Sequence, residues 1–182
     1  MNSLRESIRQ IILEQCQRPS YWGVGGSGVV VLCREDNTIY LQKRSLRVSG
    51  GAGQWGFPGG GIHIGRSRFH DTPIENPLDS NDPIFGIMAF EELQEEAGKN
   101  GLPAYTILDS LISYDDCGFK YKTFIIDISL EEKEKWNPEP DSEHSWEVDD
   151  QGWFDGRTWE QEDIYFGFTP ALLTRINRYI GG

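Results

Sequence analysis

The chain has 182 residues, a mass of 20.7 kDa, a formal net charge of −12 and a pI near 4.6. That length suits a single domain with a sizeable buried core, and an aromatic content of 12% excludes a globally disordered chain. No run approaches the roughly 18 apolar residues of a membrane-spanning helix, and the acidic balance disfavours general nucleic-acid binding, because phosphate backbones carry the same sign.

The charge is unevenly spread. Residues 1–70 carry nine Lys/Arg against four Asp/Glu, whereas residues 71–182 carry eight against twenty-five. An anionic small molecule fits such a chain if cations neutralise a local acidic cluster. The N-terminus lacks the basic stretch, apolar run and cleavage site of a secretory signal. Cys16, Cys33 and Cys117 are an odd number without metal-ligand spacing, which reads as reduced thiols in a cytoplasmic protein.

In chain order, Leu4, Ile8, Ile11 and Ile12 predict an amphipathic helix over 3–17. A glycine-rich passage, 21–28, follows. The β-branched run 29–33 and the run 38–42, with turn residues 34–37 between them, predict a hairpin. Residues 48–61 hold seven glycines and Pro58 and read as a loop. Residues 67–83 are polar with three prolines and read as an excursion from the fold.

The clearest helix comes next. Asp82 suits its cap and Pro83 its first turn; Ile84, Ile87, Phe90 or Glu91, Leu93 or Gln94, and Ala97 recur at helical spacing; Gly98 with Asn100-Gly101 stops it. Strands are predicted over 105–114 and 119–129, a short helix over 131–136, a long acidic loop over 137–150, and a short strand at 152–155. A final helix is predicted to run from Thr169-Pro170 to Ile180.

Three glutamates in the central helix carry the chemistry. Glu92 shares a face with Glu95 and Glu96, and like charges at that spacing destabilise a helix by up to roughly 0.5 kcal/mol per pair. Read alone, this face suits either a solvated acidic stripe or a hard divalent cation such as Mg²⁺, which takes carboxylate oxygens. The preceding loop, Gln54 to Gly61, is rich in glycines that let backbone approach a ligand.

The loop and helix together resemble the Nudix (MutT-like) hydrolases, whose signature is G-x5-E-x7-R-E-U-x-E-E-x-G-U, with U a bulky apolar residue. Gly60 matches the first glycine and Glu92-Leu-Gln-Glu-Glu-Ala-Gly98 the E-U-x-E-E-x-G segment. Leu41-Gln-Lys-Arg44, Trp55-Gly-Phe-Pro-Gly-Gly60 and Gly152-Trp-Phe-Asp155 resemble flanking family motifs, so the likeness spans about residues 24–180. The chain departs from the pattern in four ways. Between Arg66 and Glu91, 24 residues stand where seven are expected, an insertion of 17. Arg66 stands where the family has Glu, Glu91 where it has Arg, and Lys99 at the last apolar position. The exchanged pair keeps opposite charges with their places swapped, which suggests a salt bridge between Arg66 and Glu91.

The resemblance implies one Nudix domain over 1–182, with a mixed sheet between helices as an α/β/α sandwich. It implies hydrolysis of a nucleoside diphosphate linked to another group X, with Mg²⁺, or Mn²⁺ in its place, as cofactor. Glu92, Glu95, Glu96 and the Gly60 carbonyl are the implied metal ligands. Glu92 is the first candidate for general base, with Glu143 and Glu147 as alternatives. Arg44 is the candidate phosphate contact, with Lys43 on the opposite strand face. Tyr21, Trp22, Tyr114 and Trp146 are candidates to stack on a base; His63, His70 and His144 lack zinc-site spacing. A nucleoside triphosphate is slightly favoured as substrate over dinucleoside polyphosphates, ADP-ribose, nucleotide sugars and capped RNA ends. Homodimers are common in the family, but no feature here fixes the oligomer. The competing readings are a non-catalytic nucleotide sensor of the same fold and a plain acidic interaction domain.

Overall fold

A computed structural model describes residues 25–48, 50–62, 78–116, 119–165 and 169–181. The predicted helix 3–17, Cys16, Tyr21, Trp22, His63, Arg66, His70, Cys117 and most of the insertion lie outside the described residues.

The sheet is built on β1 (Gly25–Cys33), whose nine residues are all buried. A strand covered on both faces reads as a continuous apolar run, as Val29-Val-Val-Leu-Cys33 does. β1 lies parallel to β6 (Phe119–Asp127), which pairs antiparallel with β5 (Thr106–Asp116). On its other side β1 meets two partners. Val31–Cys33 pair with the start of β2 (Thr38–Arg44), and Gly25–Gly28 pair with β4 (Gly59–Ile62). β2 diverges from β1 after Tyr40 and pairs through Gln42 and Lys43 with β3 (Trp55–Gly56). Its far side pairs with β7 (Val148–Asp155). The short strands therefore fill the wedge between β1 and β2, and Phe57-Pro58 crosses it, with Val29 N–H donating to the Pro58 carbonyl at 2.9 Å.

Alternation along β1 divides the core. Val29, Val31 and Cys33 pack with Tyr40 and Trp136 against helix α1 (Ile84–Ala97). Val30 and Leu32 pack with Ile39, Leu41 and Trp159 against helix α3 (Pro170–Ile176). Helix α2 (Leu130–Lys135) is capped by Ser129 and leads into Trp136. The result is the expected α/β/α sandwich with a mixed sheet.

Several boundaries differ from expectation. The 48–61 loop contains β3 and β4, because glycines there pair with the divergent edges of β1 and β2. β1 begins inside the glycine-rich passage, where close packing forbids side chains: a Cβ on Gly26 would stand 2.5 Å from the Tyr121 ring. The buried residues of α1 are Phe85, Ala89, Leu93, Glu96 and Ala97, not the stripe through Ile87. Two residues turn a helix by roughly 200°, so Ile87 faces solvent opposite Phe85 and is 54% exposed. β7 starts at Val148, earlier than expected, because it pairs along the length of β2. The final helix stops at Ile176 and continues to Ile180 as turns.

Candidate functional site

The site forms where the wedge of the sheet meets the C-terminal half of α1. The helix starts where expected: Asp82 Oδ1 accepts from Ile84 N–H at 3.0 Å. Its last turn leaves carbonyls without intrahelical donors, and tertiary partners satisfy them. Asp141 N–H donates to the Glu95 carbonyl at 2.8 Å, buried Gln42 Nε2 to the Glu96 carbonyl at 2.8 Å, and Glu139 N–H to the Ala97 carbonyl at 3.3 Å. The glutamate-bearing turn is thus held by β2 on one side and the late acidic loop on the other.

Gly60 supplies room for Glu92. A Cβ at Gly60 would stand 2.3 Å from Glu92 Oε1, so the carboxylate lies directly against the bare Cα. The Gly60 carbonyl lies on the β1 side, 3.0 Å from where a Gly26 Cβ would be. On the opposite face of β4, a Gly59 Cβ would stand 2.3 Å from the Tyr121 hydroxyl, which donates to the Ser27 carbonyl at 2.8 Å. Glu96 is buried, and its Oε2 accepts from Gly59 N–H at 3.0 Å.

Burial, then the Glu95 and Glu147 charges, push the Glu92 carboxyl up to about 7, with His144 working the other way. Burial and the Glu92 charge push Glu96 well above the usual carboxylate range, while Arg44 and the Gly59 N–H oppose the shift. Both shifts favour the neutral carboxyl, and a cation placed between the two would favour the ionised form instead. Arg44 gives part of that charge, but its Nε is held by the Gly50 carbonyl at 2.7 Å and its guanidinium lies over the Tyr165 ring, 5.2 Å from the centroid. Lys43 points to the other face, over Trp55.

Among the described residues, no three His, Cys, Asp or Glu side chains converge as a ready-made metal cluster. The carboxylates are turned to separate partners: Glu96 to Gly59 N–H, Glu92 over Gly60, and Glu95 toward His144 Nε2 at 3.5 Å. The donor set nevertheless fits a hard divalent ion, being all oxygen and starved of positive charge. A second observation agrees. Ser27 Oγ is fully buried and has no hydrogen-bond partner among the described residues. Ser27 pairs with Gly60 across the ladder, and opposed residues share a sheet face, so this hydroxyl lies on the Glu92 side.

The other predicted residues fall in different places. Glu147 lies near enough for its charge to act on Glu92, Glu96 and His144, and its carbonyl accepts from Ser45 N–H at 2.8 Å. Glu143 is exposed in the turn, its N–H on Asp141 Oδ1. Tyr114 sits near the end of β5, its ring edge-on to Phe119 with centroids 6.1 Å apart. Trp146 is exposed beside Glu147. Glu91 is exposed on α1, while Arg66 lies outside the described residues.

Four residues that shape the site escape the sequence pattern: Gln42, Ser27, Tyr121 and His144. His144 Nδ1 meets Asp141 Oδ1 at 2.9 Å. Desolvation works to lower the His144 pKa, but the Asp141 bond and the charges of Glu95 and Glu147 outweigh it and raise it. Only the spacing of His144 between Glu143 and Glu147 in the acidic loop could signal it.

No family model matches the sequence, and a search of curated proteins found no relative. Solved structures do match. A Nudix hydrolase from M. smegmatis superposes with a TM-score of 0.59 at 19% identity, over 86% of each chain. The NUDIX domain of Shewanella oneidensis NrtR, solved with ADP ribose, gives 0.52 at 15% identity over 93% of this chain and 97% of that one. A C. elegans Ap4A hydrolase gives 0.50 at 14% identity over 85% and 96%. The fold is the Nudix hydrolase fold. Among the described residues no helix is long and apolar enough to cross a membrane.

Proposed function

We propose that this chain is a divalent-metal-dependent pyrophosphohydrolase acting on a nucleoside diphosphate linked to X, most simply a nucleoside triphosphate cleaved to monophosphate and pyrophosphate. The observation that carries the reading is the pair of neighbouring carboxyls, half-buried Glu92 and buried Glu96, packed on the glycines of β4. Ionising both members of such a pair is costly unless a cation joins them. Glu92, Glu95 and Glu96 would hold Mg²⁺ or Mn²⁺, with Gly60 giving the clearance and its carbonyl a further oxygen if the ladder yields. The ion would supply charge stabilisation for the phosphate oxygens.

In the reaction, water adds to one phosphorus of the anhydride, the bridging P–O bond breaks, and the bridging oxygen leaves with the departing phosphate. The proton of the attacking water passes to a carboxylate. Glu92 is the first candidate, because its carboxylate lies at the glycines of β4; Glu147 is the alternative within electrostatic reach. Arg44, whose Nε is held by the Gly50 carbonyl, would contact a phosphate through its Nη groups. The ADP ribose and Ap4A of the similar structures fall in the same broad substrate class.

The test is a phosphate-release screen with Mg²⁺ or Mn²⁺ over nucleoside triphosphates, dinucleoside polyphosphates, ADP-ribose and nucleotide sugars, with Glu96→Gln beside the wild type. Metal-dependent turnover that falls at least about a hundredfold in the variant is expected, from loss of charge that acts in the transition state. Nucleotide binding without turnover across the panel would favour the sensor reading.

A further inference from the structure

The acidic loop before β7 is bonded to the glutamate-bearing turn in more than one place. Asp141 N–H donates to the Glu95 carbonyl at 2.8 Å. The Asp141 Oδ1 atom then accepts from the N–H groups of Glu143 and His144 and meets His144 Nδ1, at 2.8, 2.9 and 2.9 Å. This fixes the turn and aims the other ring nitrogen, Nε2, at Glu95 Oε2, 3.5 Å away. Beyond the turn, Glu147 N–H donates to the His144 carbonyl at 2.9 Å, and the Glu147 carbonyl accepts from Ser45 N–H, next to Arg44, at 2.8 Å. One continuous chain of bonds thus runs from the Glu95 turn through Asp141, His144 and Glu147 to the end of β2.

We propose that Asp141 and His144 form a latch that sets the direction of the Glu95 carboxylate for the metal, so that the 141–144 turn is a working part of the site. Asp141 orients the imidazole, and the imidazole faces the Glu95 carboxylate across 3.5 Å; the same turn fixes the Glu147 backbone. Both are positioning residues, since neither is placed on substrate. The proposal rests on the metal-dependent reading above.

Mn²⁺ binding to the full chain, read from loss of the free-ion EPR signal, tests it without any need for turnover. Partners that orient metal ligands typically cost roughly 10–100-fold in affinity when removed. His144→Asn keeps a short amide able to reach Asp141 but not Glu95. It is expected to weaken Mn²⁺ binding about tenfold or more, with an unchanged melting temperature and unchanged hydrogen-exchange protection of 141–147. His144→Ala is expected to lose both the affinity and the loop protection. In turnover, both are expected to lower kcat with little change in KM. If His144→Asn binds Mn²⁺ as tightly as wild type, the Glu95 contact positions nothing and the latch is overturned. A wild-type protein that binds no Mn²⁺ would overturn the metal reading itself, and the latch with it.

Discussion

Replacing Glu92 by Gln tests the electrostatic argument in a metal-free protein. Burial and neighbouring carboxylates push the Glu92 carboxyl up to about 7 in the folded protein, against an ordinary value of 4.5. The folded state therefore holds the proton more tightly than the unfolded chain. The associated stability is fully present below about pH 4.5 and is lost as the pH rises through about 7. Each pH unit between those two values is worth about 1.4 kcal/mol, so the loss approaches roughly 3 kcal/mol, an upper figure because Glu96 shares the repulsion. Gln cannot ionise and avoids the loss. For a chain of this size, 1 kcal/mol moves Tm by roughly 2–4 °C. In EDTA, Glu92→Gln should melt only about 2–3 °C above wild type at pH 5 but roughly 5–10 °C above it at pH 8.5. Calorimetry or circular dichroism melts at both pH values suffice. A variant no more stable than wild type at pH 8.5, or one equally stabilised at pH 5, would refute the claim that Glu92 resists ionisation.

Other expectations follow from the same geometry. Mg²⁺ or Mn²⁺ should raise the wild-type melting temperature more at pH 8 than at pH 6, since cations bind the ionised carboxylates, and Glu92→Gln should blunt that rise. Gly60→Ala puts a Cβ 2.3 Å from Glu92 Oε1. That flexible carboxylate must swing away, so metal-dependent turnover should fall at least about tenfold with a stability loss below about 1 kcal/mol in urea unfolding. Gly59→Ala instead meets the Ser27 carbonyl at 2.6 Å and the Gly28 Cα at 2.7 Å. Backbone cannot step aside as a side chain does, so this variant should lose roughly 2 kcal/mol or more in the same titration. Gln42→Leu removes the donor to the Glu96 carbonyl and should cost roughly 1–3 kcal/mol for the buried acceptor left unpaired.

Local pattern is enough to find most elements of this protein. A β-branched run at 29–33 can hardly be anything but a buried strand, and Asp82-Pro83 opening with Gly98 closing brackets α1 within a residue or two. The glutamate spacing likewise puts Glu92, Glu95 and Glu96 on one part of a helix, because side-chain direction along a helix is a local property. Residues 48–61 read as loop for a matching reason: strands as short as β3 and β4 owe their existence to the divergence of β1 from β2, a long-range feature that no short window contains. Periodicity alone draws the apolar stripe of α1 through Ile87, because several faces of that helix carry apolar residues; only packing against β1 selects Phe85, Ala89 and Leu93.

The sequence by itself determined which residues carry charge and which helix presents them. Tertiary structure alone decided their condition. Glu96 is buried and Glu95 half-exposed because the sheet lies on one side of the helix and the late loop on the other. Glu92 lies against Gly60, Gln42 holds a helix carbonyl, Ser27 turns its hydroxyl to the same face, and His144 reaches Glu95 from 49 positions along the chain. Such contacts depend on long-range pairing, and the pKa of a carboxyl depends on everything around it rather than on its neighbours in sequence.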